Sequence, residues 1–202
     1  MSDHYYSEKP SAKSDQKTIK ETIIDHTFTF KVDHGVFSKG GLDFGSKLLI
    51  ETFQEPEVDG KIADVGCGWG PIGIAVAKSF PKRHVRMVDI NERSILLSKE
   101  NASLNHVTDN TFISQNDVME GFEEGEYAAV ITNPPIRAGK EVVFKIYEQS
   151  IKALKRGGSI WVVIQKKQGA ASTEKKLEEL GLEVTTKNKQ KGYFIFQGKK
   201  ID

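Results

Sequence analysis

The chain has 202 residues, of which 38% are hydrophobic and 28% are charged. This balance is typical of one globular domain, and the apolar runs are far shorter than the roughly 20 residues that cross a bilayer, so a membrane span is excluded. One cysteine excludes an internal disulfide or a cysteine-rich zinc site. The first dozen residues lack a secretory signal pattern, so we expect a cytoplasmic protein.

The net charge of +1 conceals an uneven distribution. Residues 151–202 contain 12 Lys or Arg and five Asp or Glu, whereas the preceding 150 residues are acidic overall. A basic segment of this kind either faces an anionic partner or forms an ordinary solvated surface.

The amino-terminal part of the chain is polar. We predict a flexible segment over residues 1–24, followed by a single domain over residues 25–202. Residues 27–32 alternate apolar and polar side chains, which predicts a half-buried strand. A glycine-rich turn follows at 38–41, and Asp43 is a candidate N-cap for a short helix that ends before Pro56.

From residue 61, short apolar runs alternate with longer amphipathic segments. The predicted strands are 61–65, 84–89, 111–114, 127–132 and 158–164, and the predicted helices between them are 71–79, 92–104 and 141–155. Such alternation predicts an α/β fold with a parallel sheet, helices on both faces and a ligand site at the carboxyl ends of the strands.

The carboxyl-terminal part departs from this alternation. A helix is predicted over 172–180, and strands over 182–187 and 193–197 are joined by a short turn. Because a parallel pair needs a much longer connection, these two strands must pair antiparallel. The sheet therefore ends in a hairpin.

A glycine cluster occupies the turn after the first strand of the alternating region, in the order Asp64, Gly66, Cys67, Gly68, Gly70. Glycines at such a turn let the backbone approach a ligand closely and expose amides at a helix N-terminus. An acid at the start of the cluster favours a ligand with a cationic group, such as a sulfonium, over a pyrophosphate.

A dinucleotide site is the alternative interpretation of this cluster. The run from Gly68 to Gly73 matches G-x-G-x-x-G, and Asp89 lies 21 positions after Gly68, near the spacing of a ribose-binding acid. The match begins two residues late relative to the strand end. Polar residues also recur at later strand ends, which favours the first interpretation.

Polar residues follow the next strands as well. Asp89 ends its strand, where a carboxylate can accept both hydroxyls of a ribose, and Ile90 beside it can cover one face of a purine. Asp117 lies in the loop after the third strand, where it can accept from an adenine amino group, with Val118 as an apolar neighbour.

The fourth strand is followed by Asn133, Pro134 and Pro135. Two prolines stiffen the backbone and remove two N–H donors. The Asn133 amide oxygen and the Pro134 carbonyl can then both accept hydrogen bonds from one planar NH2 group, so this turn suits an amine.

Together these motifs resemble class I S-adenosylmethionine-dependent methyltransferases of the amino-nitrogen type. Residues 35–38 and 41–46, which read GVFS and GLDFGS, are similar to the entry into the catalytic domain of RsmC-type small-subunit rRNA guanine-N2 methyltransferases. The resemblance covers about residues 25–200. It implies a three-layer, Rossmann-like methyltransferase fold with a seven-stranded, mostly parallel sheet in the order 3-2-1-4-5-7-6, whose last strand is antiparallel.

The resemblance also implies a role for each matching residue. The methionyl part of S-adenosylmethionine would be held by Asp64, Gly66, Cys67, Gly68 and Gly70; the ribose by Asp89; the adenine by Ile90, Asp117 and Val118; and the target amine by Asn133 and Pro134. The catalytic turn would comprise Asn133, Pro134, Pro135 and Ile136, with Asn133 also contacting the cofactor. No metal is implied.

One position departs from the family motif. An aromatic residue commonly follows the second proline and stacks on the target base, whereas this chain has Ile136 and then Arg137. Apolar contact from Ile136 would replace stacking. A basic rim that contacts RNA phosphates would be formed by Arg137, Lys140, Lys166 and Lys167.

The sequence thus predicts a methyltransferase acting on an exocyclic amine, first of all guanine N2 of ribosomal RNA, alone or in the small subunit. Adenine N6 and the amide of a protein glutamine remain alternatives, because the Asn-Pro-Pro turn suits any planar NH2. Outside that class, a NAD-binding oxidoreductase and a non-catalytic RNA-binding module remain open.

Overall fold

The computed structural model of the protein describes residues 14–33 and 40–202. Its strands are β1 Gln16–Ile23, β2 His26–Asp33, β3 Lys61–Val65, β4 Val85–Asp89, β5 Thr111–Gln115, β6 Tyr127–Thr132, β7 Leu154–Gln165, β8 Leu182–Gln190 and β9 Tyr193–Lys200. Its α-helices are α1 Phe44–Thr52, α2 Pro71–Ser79, α3 Glu92–Leu104, α4 Lys140–Ala153 and α5 Ala170–Glu179.

Seven strands form one sheet in the order β5-β4-β3-β6-β7-β9-β8. The first five are parallel to one another, and β9 is antiparallel to both neighbours. Numbered from β3, this is the predicted order 3-2-1-4-5-7-6, so the predicted fold class is confirmed. Ligands bind at the carboxyl edge of such a sheet, where the strand order reverses next to β3.

Each face of the sheet is covered by helices. Successive side chains of a strand point to opposite faces, and in β3 the side chain of Ile62 joins the core under α1, α2 and α3, while Ala63 and Val65 join the core under α4 and α5. Three layers with two apolar cores result. Among the described residues, no helix is long and apolar enough to cross a bilayer.

The amino-terminal hairpin corrects one prediction. Residues 16–23 belong to β1, which pairs antiparallel with β2, although residues 1–24 were predicted to be flexible. The strand is polar because most of its side chains are exposed, yet Ile23 at its end is buried. A domain boundary at residue 24 would therefore divide this hairpin at its turn. Residues 1–13 lie outside the described part.

Several predicted boundaries move by a few residues. β7 begins at Leu154, before the predicted 158, because an irregular register near its start lets Leu154 pair with Tyr127. β8 continues to Gln190, which leaves only Lys191 and Gly192 in the hairpin turn. Both residues have positive φ, as expected for a two-residue turn that matches the twist of the strands. The GVFS segment and residues 38–39 of the glycine-rich turn lie outside the described residues.

Candidate active site

A cavity of about 280 Å³ opens at the carboxyl edge of the sheet. Its wall is formed by Asp43, Val65, Gly66, Val88, Asp89, Ile90, Ser94, Asn116, Val118, Asn133, Pro134, Pro135, Ile136, Arg137, Ile146, Gln165, Gln168 and Tyr193. The structure therefore brings together most of the residues predicted to follow β3, β4, β5 and β6. It also adds Asp43, the N-cap of α1, and residues from α3, β7 and β9.

The glycine loop forms the floor of the cavity after β3. Gly66 lines the cavity with φ of +74° and Gly68 has φ of +57°, a left-handed region that favours glycine. A Cβ built at either position meets no atom of residues 14–33 and 40–202 within 4 Å, so these residues leave space for a ligand above the loop. Cys67 is buried near Ser98, and Gly68 and Gly70 lie beside the cavity without lining it.

Asp64 lies behind this loop rather than in the cavity wall. It is fully buried, and its Oδ2 accepts a hydrogen bond of 2.8 Å from the Gly73 N–H in the first turn of α2. Among the described residues, no donor lies within hydrogen-bond distance of its Oδ1. Burial raises the pKa of Asp64 to about 7. Its predicted contact with the methionyl part of the cofactor stays a prediction.

Asp89 lies in the cavity wall and also holds the glycine loop. Its Oδ2 accepts from Gly68 N at 2.8 Å, and its Oδ1 accepts from Asn91 N at 2.9 Å. Burial raises the pKa of Asp89 to about 6, although the backbone N–H donors oppose that shift. Each oxygen keeps a second lone pair, so the carboxylate can still accept hydroxyl groups from the cavity side.

The loop after β5 differs from the prediction. Asp117 forms an ion pair of 2.7 Å with Lys145, its carboxylate is 41% exposed, and it does not line the cavity. Its neighbours Asn116 and Val118 do. The structure thus places Val118 in the cavity wall, and its contact with an adenine face stays a prediction. The assignment of Asp117 to the adenine amino group stays a prediction.

The Asn-Pro-Pro turn after β6 is held by residues at the start of α1. Asn133 Nδ2 donates to Ser46 Oγ at 2.9 Å and approaches Asp43 Oδ2 at 3.4 Å. Because a carboxylate oxygen can only accept, the amide nitrogen must face this pair. The amide oxygen of Asn133 then faces away from Ser46 and Asp43, and both Asn133 and Pro134 line the cavity.

An aromatic side chain does reach this turn, from a distant part of the sequence. Tyr193, the first residue of β9, lines the cavity with Ile136 and lies against Gly45, where a Cβ would come within 2.7 Å of its ring. The Phe44 ring lies beside it at 5.5 Å between centroids. β9 is antiparallel, so its amino end meets the carboxyl ends of the other strands. The antiparallel direction of β9, predicted from the short hairpin turn, was the sequence signal that would have placed Tyr193 at this edge.

The predicted basic rim is only partly at the cavity. Arg137 lines it, whereas Lys140 lies at the start of α4 with its ammonium 4.9 Å from the Phe144 ring centroid. Lys166 and Lys167 are exposed in the turn after β7, between Gln165 and Gln168, which both line the cavity. Within residues 14–33 and 40–202, no three His, Cys, Asp or Glu side chains are grouped as metal ligands.

The sheet order, the glycine loop and the acid at the end of β4 define a class I S-adenosylmethionine-dependent methyltransferase. A doubly wound dinucleotide-binding sheet has six parallel strands in the order 3-2-1-4-5-6. The reversed β9 between β7 and β8 differs from that pattern. The sheet therefore does not match that of a NAD-binding oxidoreductase.

The chain belongs to the methyltransferase small domain family, whose model matches residues 27–197. It is 52% identical over 202 residues, the full length of both chains, to the uncharacterized protein YbxB of Bacillus subtilis. It is 34% identical to ribosomal RNA small subunit methyltransferase C of Vibrio cholerae, over 76% of this chain and 46% of that protein. The chain thus spans about half the length of that rRNA methyltransferase.

The fold also matches a solved structure of an rRNA methyltransferase. The 16S rRNA N2 G1207 methyltransferase RsmC of Thermus thermophilus, in complex with AdoMet and guanosine, superposes with a TM-score of 0.81 and 26% sequence identity. The match covers 95% of this chain and 52% of that one.

S-adenosylmethionine is the cofactor of this family, and the cavity fits it. The open space above Gly66 admits an extended ligand, the carboxylate of Asp89 suits ribose hydroxyls, and Ile90 and Val118 offer apolar surface to a purine. The bound cofactor supplies an electrophilic methyl group on a sulfonium.

Proposed function

We propose that this protein methylates the exocyclic N2 amine of a guanine in ribosomal RNA. The observation that carries the proposal is the orientation of Asn133, whose amide nitrogen is held by Ser46 and Asp43. Its amide oxygen and the Pro134 carbonyl are then two fixed acceptors for one NH2 group. The similarity to proteins named as rRNA small subunit methyltransferases supports a ribosomal RNA substrate.

The two acceptors of the turn prepare the amine for methyl transfer. An aromatic amine is a poor nucleophile because its lone pair is delocalised into the ring. Two acceptors on its two N–H bonds fix the nitrogen and direct the lone pair out of the ring plane, and such preorganised groups cost no reorganisation during reaction. Holding amine and methyl donor in line makes the step effectively unimolecular.

The methyl transfer balances with S-adenosylmethionine, the amine and water alone. The amine nitrogen forms a bond to the methyl carbon as the sulfur–methyl bond breaks, which releases S-adenosylhomocysteine. The extra proton on the nitrogen leaves to water, so no residue is assigned as a general base. Tyr193 and Ile136 offer surface to the faces of the base, and Arg137 with Lys166 and Lys167 contacts phosphates.

A base must leave its stack to reach this cavity. Unstacking costs a few kcal/mol in a duplex and less in loops or incompletely folded RNA. We therefore expect deproteinised rRNA or an immature small subunit to be the better substrate.

Methyl transfer from labelled S-adenosylmethionine tests the proposal. The substrates are rRNA, isolated small subunits and total protein from a bacterial strain that lacks this gene, and mass analysis of nucleosides identifies the product. We expect N2-methylguanosine. Label in N6-methyladenosine or in protein glutamine would contradict guanine as the target.

Asn133→Ala separates turnover from cofactor binding in the same assay. Losing one preorganised polar group lowers kcat by roughly a hundredfold, whereas the affinity for S-adenosylhomocysteine stays within a few fold. Equal losses in both quantities would mean that Asn133 builds the cofactor pocket instead of aligning the amine.

A further inference from the structure

A carboxylate lies beside the amide that is proposed to hold the amine. Asp43 is the N-cap of α1, and its Oδ2 accepts from Ser46 N at 3.0 Å and faces Asn133 Nδ2 at 3.4 Å. Both contacts use the same oxygen. No residue in the described part of the chain donates a hydrogen bond to Oδ1, although Asp43 lines the cavity.

The helix fixes the direction of this carboxylate. An N-cap side chain is held by a backbone N–H of the first helical turn, here that of Ser46, which is 3% exposed. Gly45 packs against the Tyr193 ring, and a Cβ there would lie 3.2 Å from Asp43 Oδ2. The first turn of α1 thus fixes Asp43 Oδ2, and Oδ1 can accept a hydrogen bond from a ligand.

The candidate target amines differ in the group beside the NH2. Adenine N6 adjoins ring N1, cytosine N4 adjoins ring N3, and a glutamine amide nitrogen adjoins its carbonyl oxygen; all three neighbours are hydrogen-bond acceptors. Guanine N2 adjoins ring N3, an acceptor, on one side and N1–H, a donor, on the other. A carboxylate next to the acceptors for the amine therefore repels the first three and forms a charge-assisted hydrogen bond with guanine.

We propose that Asp43 determines the specificity for guanine by accepting the N1–H of the target base while Asn133 and Pro134 accept from N2. This rests on the proposed function, because it assumes that the Asn-Pro-Pro turn holds the amine. It adds a residue outside the Asn-Pro-Pro turn as the one that selects the base.

Nucleotide binding to the protein saturated with S-adenosylhomocysteine tests this inference. The probes are GMP, AMP and the 5′-monophosphate of 2-aminopurine riboside, titrated by calorimetry or NMR at millimolar concentration. The 2-aminopurine base keeps the 2-amino group of guanine but has an unprotonated N1. We expect GMP to bind the wild-type protein at least tenfold more tightly than either other nucleotide.

Asp43→Asn is designed to reverse the order. Asn is as good an N-cap as Asp, so its oxygen still accepts from Ser46 N. Its NH2 group then faces the cavity, opposes guanine N1–H and can donate to the unprotonated N1 of 2-aminopurine. The variant should bind the 2-aminopurine nucleotide more tightly than GMP, with unchanged affinity for S-adenosylhomocysteine.

Asp43→Ser is the matched control, because Ser also caps helices but its hydroxyl both donates and accepts. It should lose the discrimination without reversing it. Wild-type protein that binds the three nucleotides equally, or binds none, overturns the inference, as does a GMP preference that survives in Asp43→Asn.

The methyl transfer assay distinguishes a failure of the inference about Asp43 from a failure of the proposed function. If Asp43→Asn still methylates guanine in rRNA with wild-type selectivity, the role of Asp43 is wrong and the proposed function stands. If the wild-type protein transfers no methyl group to a base amine, both are wrong.

Discussion

Asp89 combines two tasks in one side chain. It holds the glycine loop through Gly68 N and the start of α3 through Asn91 N, and it faces the cavity. A group that builds the pocket and also contacts the ligand is sensitive to substitution, because its loss disturbs both.

Replacement of Asp89 by Ala should weaken cofactor binding more than tenfold. The change removes charge-assisted acceptors for two ribose hydroxyls, each worth about 1.5 to 3 kcal/mol. Calorimetric titration with S-adenosylhomocysteine measures the effect. Asp109→Ala is the matched control, since that exposed carboxylate lies outside the cavity wall. An unchanged dissociation constant in Asp89→Ala would remove this residue from the site.

Asp64 makes the folded protein less stable as pH rises, which is the reverse of the usual effect of an acidic residue. Burial raises its pKa from 3.8 to about 7, so between these values the folded protein binds more protons than the unfolded chain. The free energy of unfolding then falls as pH rises through this window. The contribution of Asp89, with its pKa raised to about 6, has the same sign.

Asp64→Asn should therefore flatten the pH dependence of stability. The Asn oxygen can still accept from Gly73 N, and the substituted side chain carries no charge. Urea unfolding of the cofactor-free protein from pH 5 to pH 8 measures the slope. The difference in unfolding free energy, variant minus wild type, should increase with pH. A constant difference would contradict the buried, protonated carboxyl.

At the scale of elements, the β1–β2 hairpin is fastened to α3 by two buried amides. Asn101 donates to the carbonyls of Lys31 and Trp69 and accepts from Lys31 N, while Asn105 exchanges hydrogen bonds with Thr29. The Phe30 ring also meets Trp69 at 4.9 Å. The hairpin thus supports the glycine loop from behind, because Trp69 belongs to that loop.

Asn101→Ala should destabilise the protein by about 1 to 3 kcal/mol, since it leaves buried backbone groups without partners. That corresponds to roughly 2 to 12 °C in the melting temperature of a domain this size. Thermal unfolding measures it, and the exposed Ser103→Ala on the same helix should stay near wild type. Equal melting temperatures for both variants would show that the hydrogen bonds of the Asn101 side chain do not stabilise the fold.

The elements differ in how well the sequence predicts them. α2 and α3 were predicted to the residue, because their periodicity and caps are local. β1 was missed because its exposed side chains carry no apolar pattern. The contacts of Asp43 with Asn133, and of Gly45 with Tyr193, join residues far apart in sequence, so local patterns do not reveal them.

At the scale of the whole molecule, the basic carboxyl-terminal part partly surrounds the cavity. Lys191 lies 4.7 Å from the Phe44 ring centroid, next to Tyr193, and Lys166 and Lys167 flank the cavity near β7. Positive charge and aromatic rings on one side of an active site suit a single-stranded nucleic acid. A merely solvated surface is the competing explanation.

The salt dependence of RNA binding decides between them. Replacing Lys166 and Lys167 by Ala should lower the slope of log affinity against log salt by about 0.7 to 0.9 for each lost phosphate contact. Affinity for S-adenosylhomocysteine should not change. Ala at Lys82 and Lys155, at the opposite edge of the sheet, is the matched control. A wild-type slope in the first variant would place RNA recognition elsewhere.

The nucleoside composition of small-subunit rRNA, compared between cells with and without this gene, is the most direct test of methylation at guanine N2. We predict that deletion removes one N2-methylguanosine, which wild-type protein restores and Asn133→Ala does not. An unchanged N2-methylguanosine content in the deletion strain would contradict guanine N2 as the target, and full restoration by Asn133→Ala would contradict the role of Asn133.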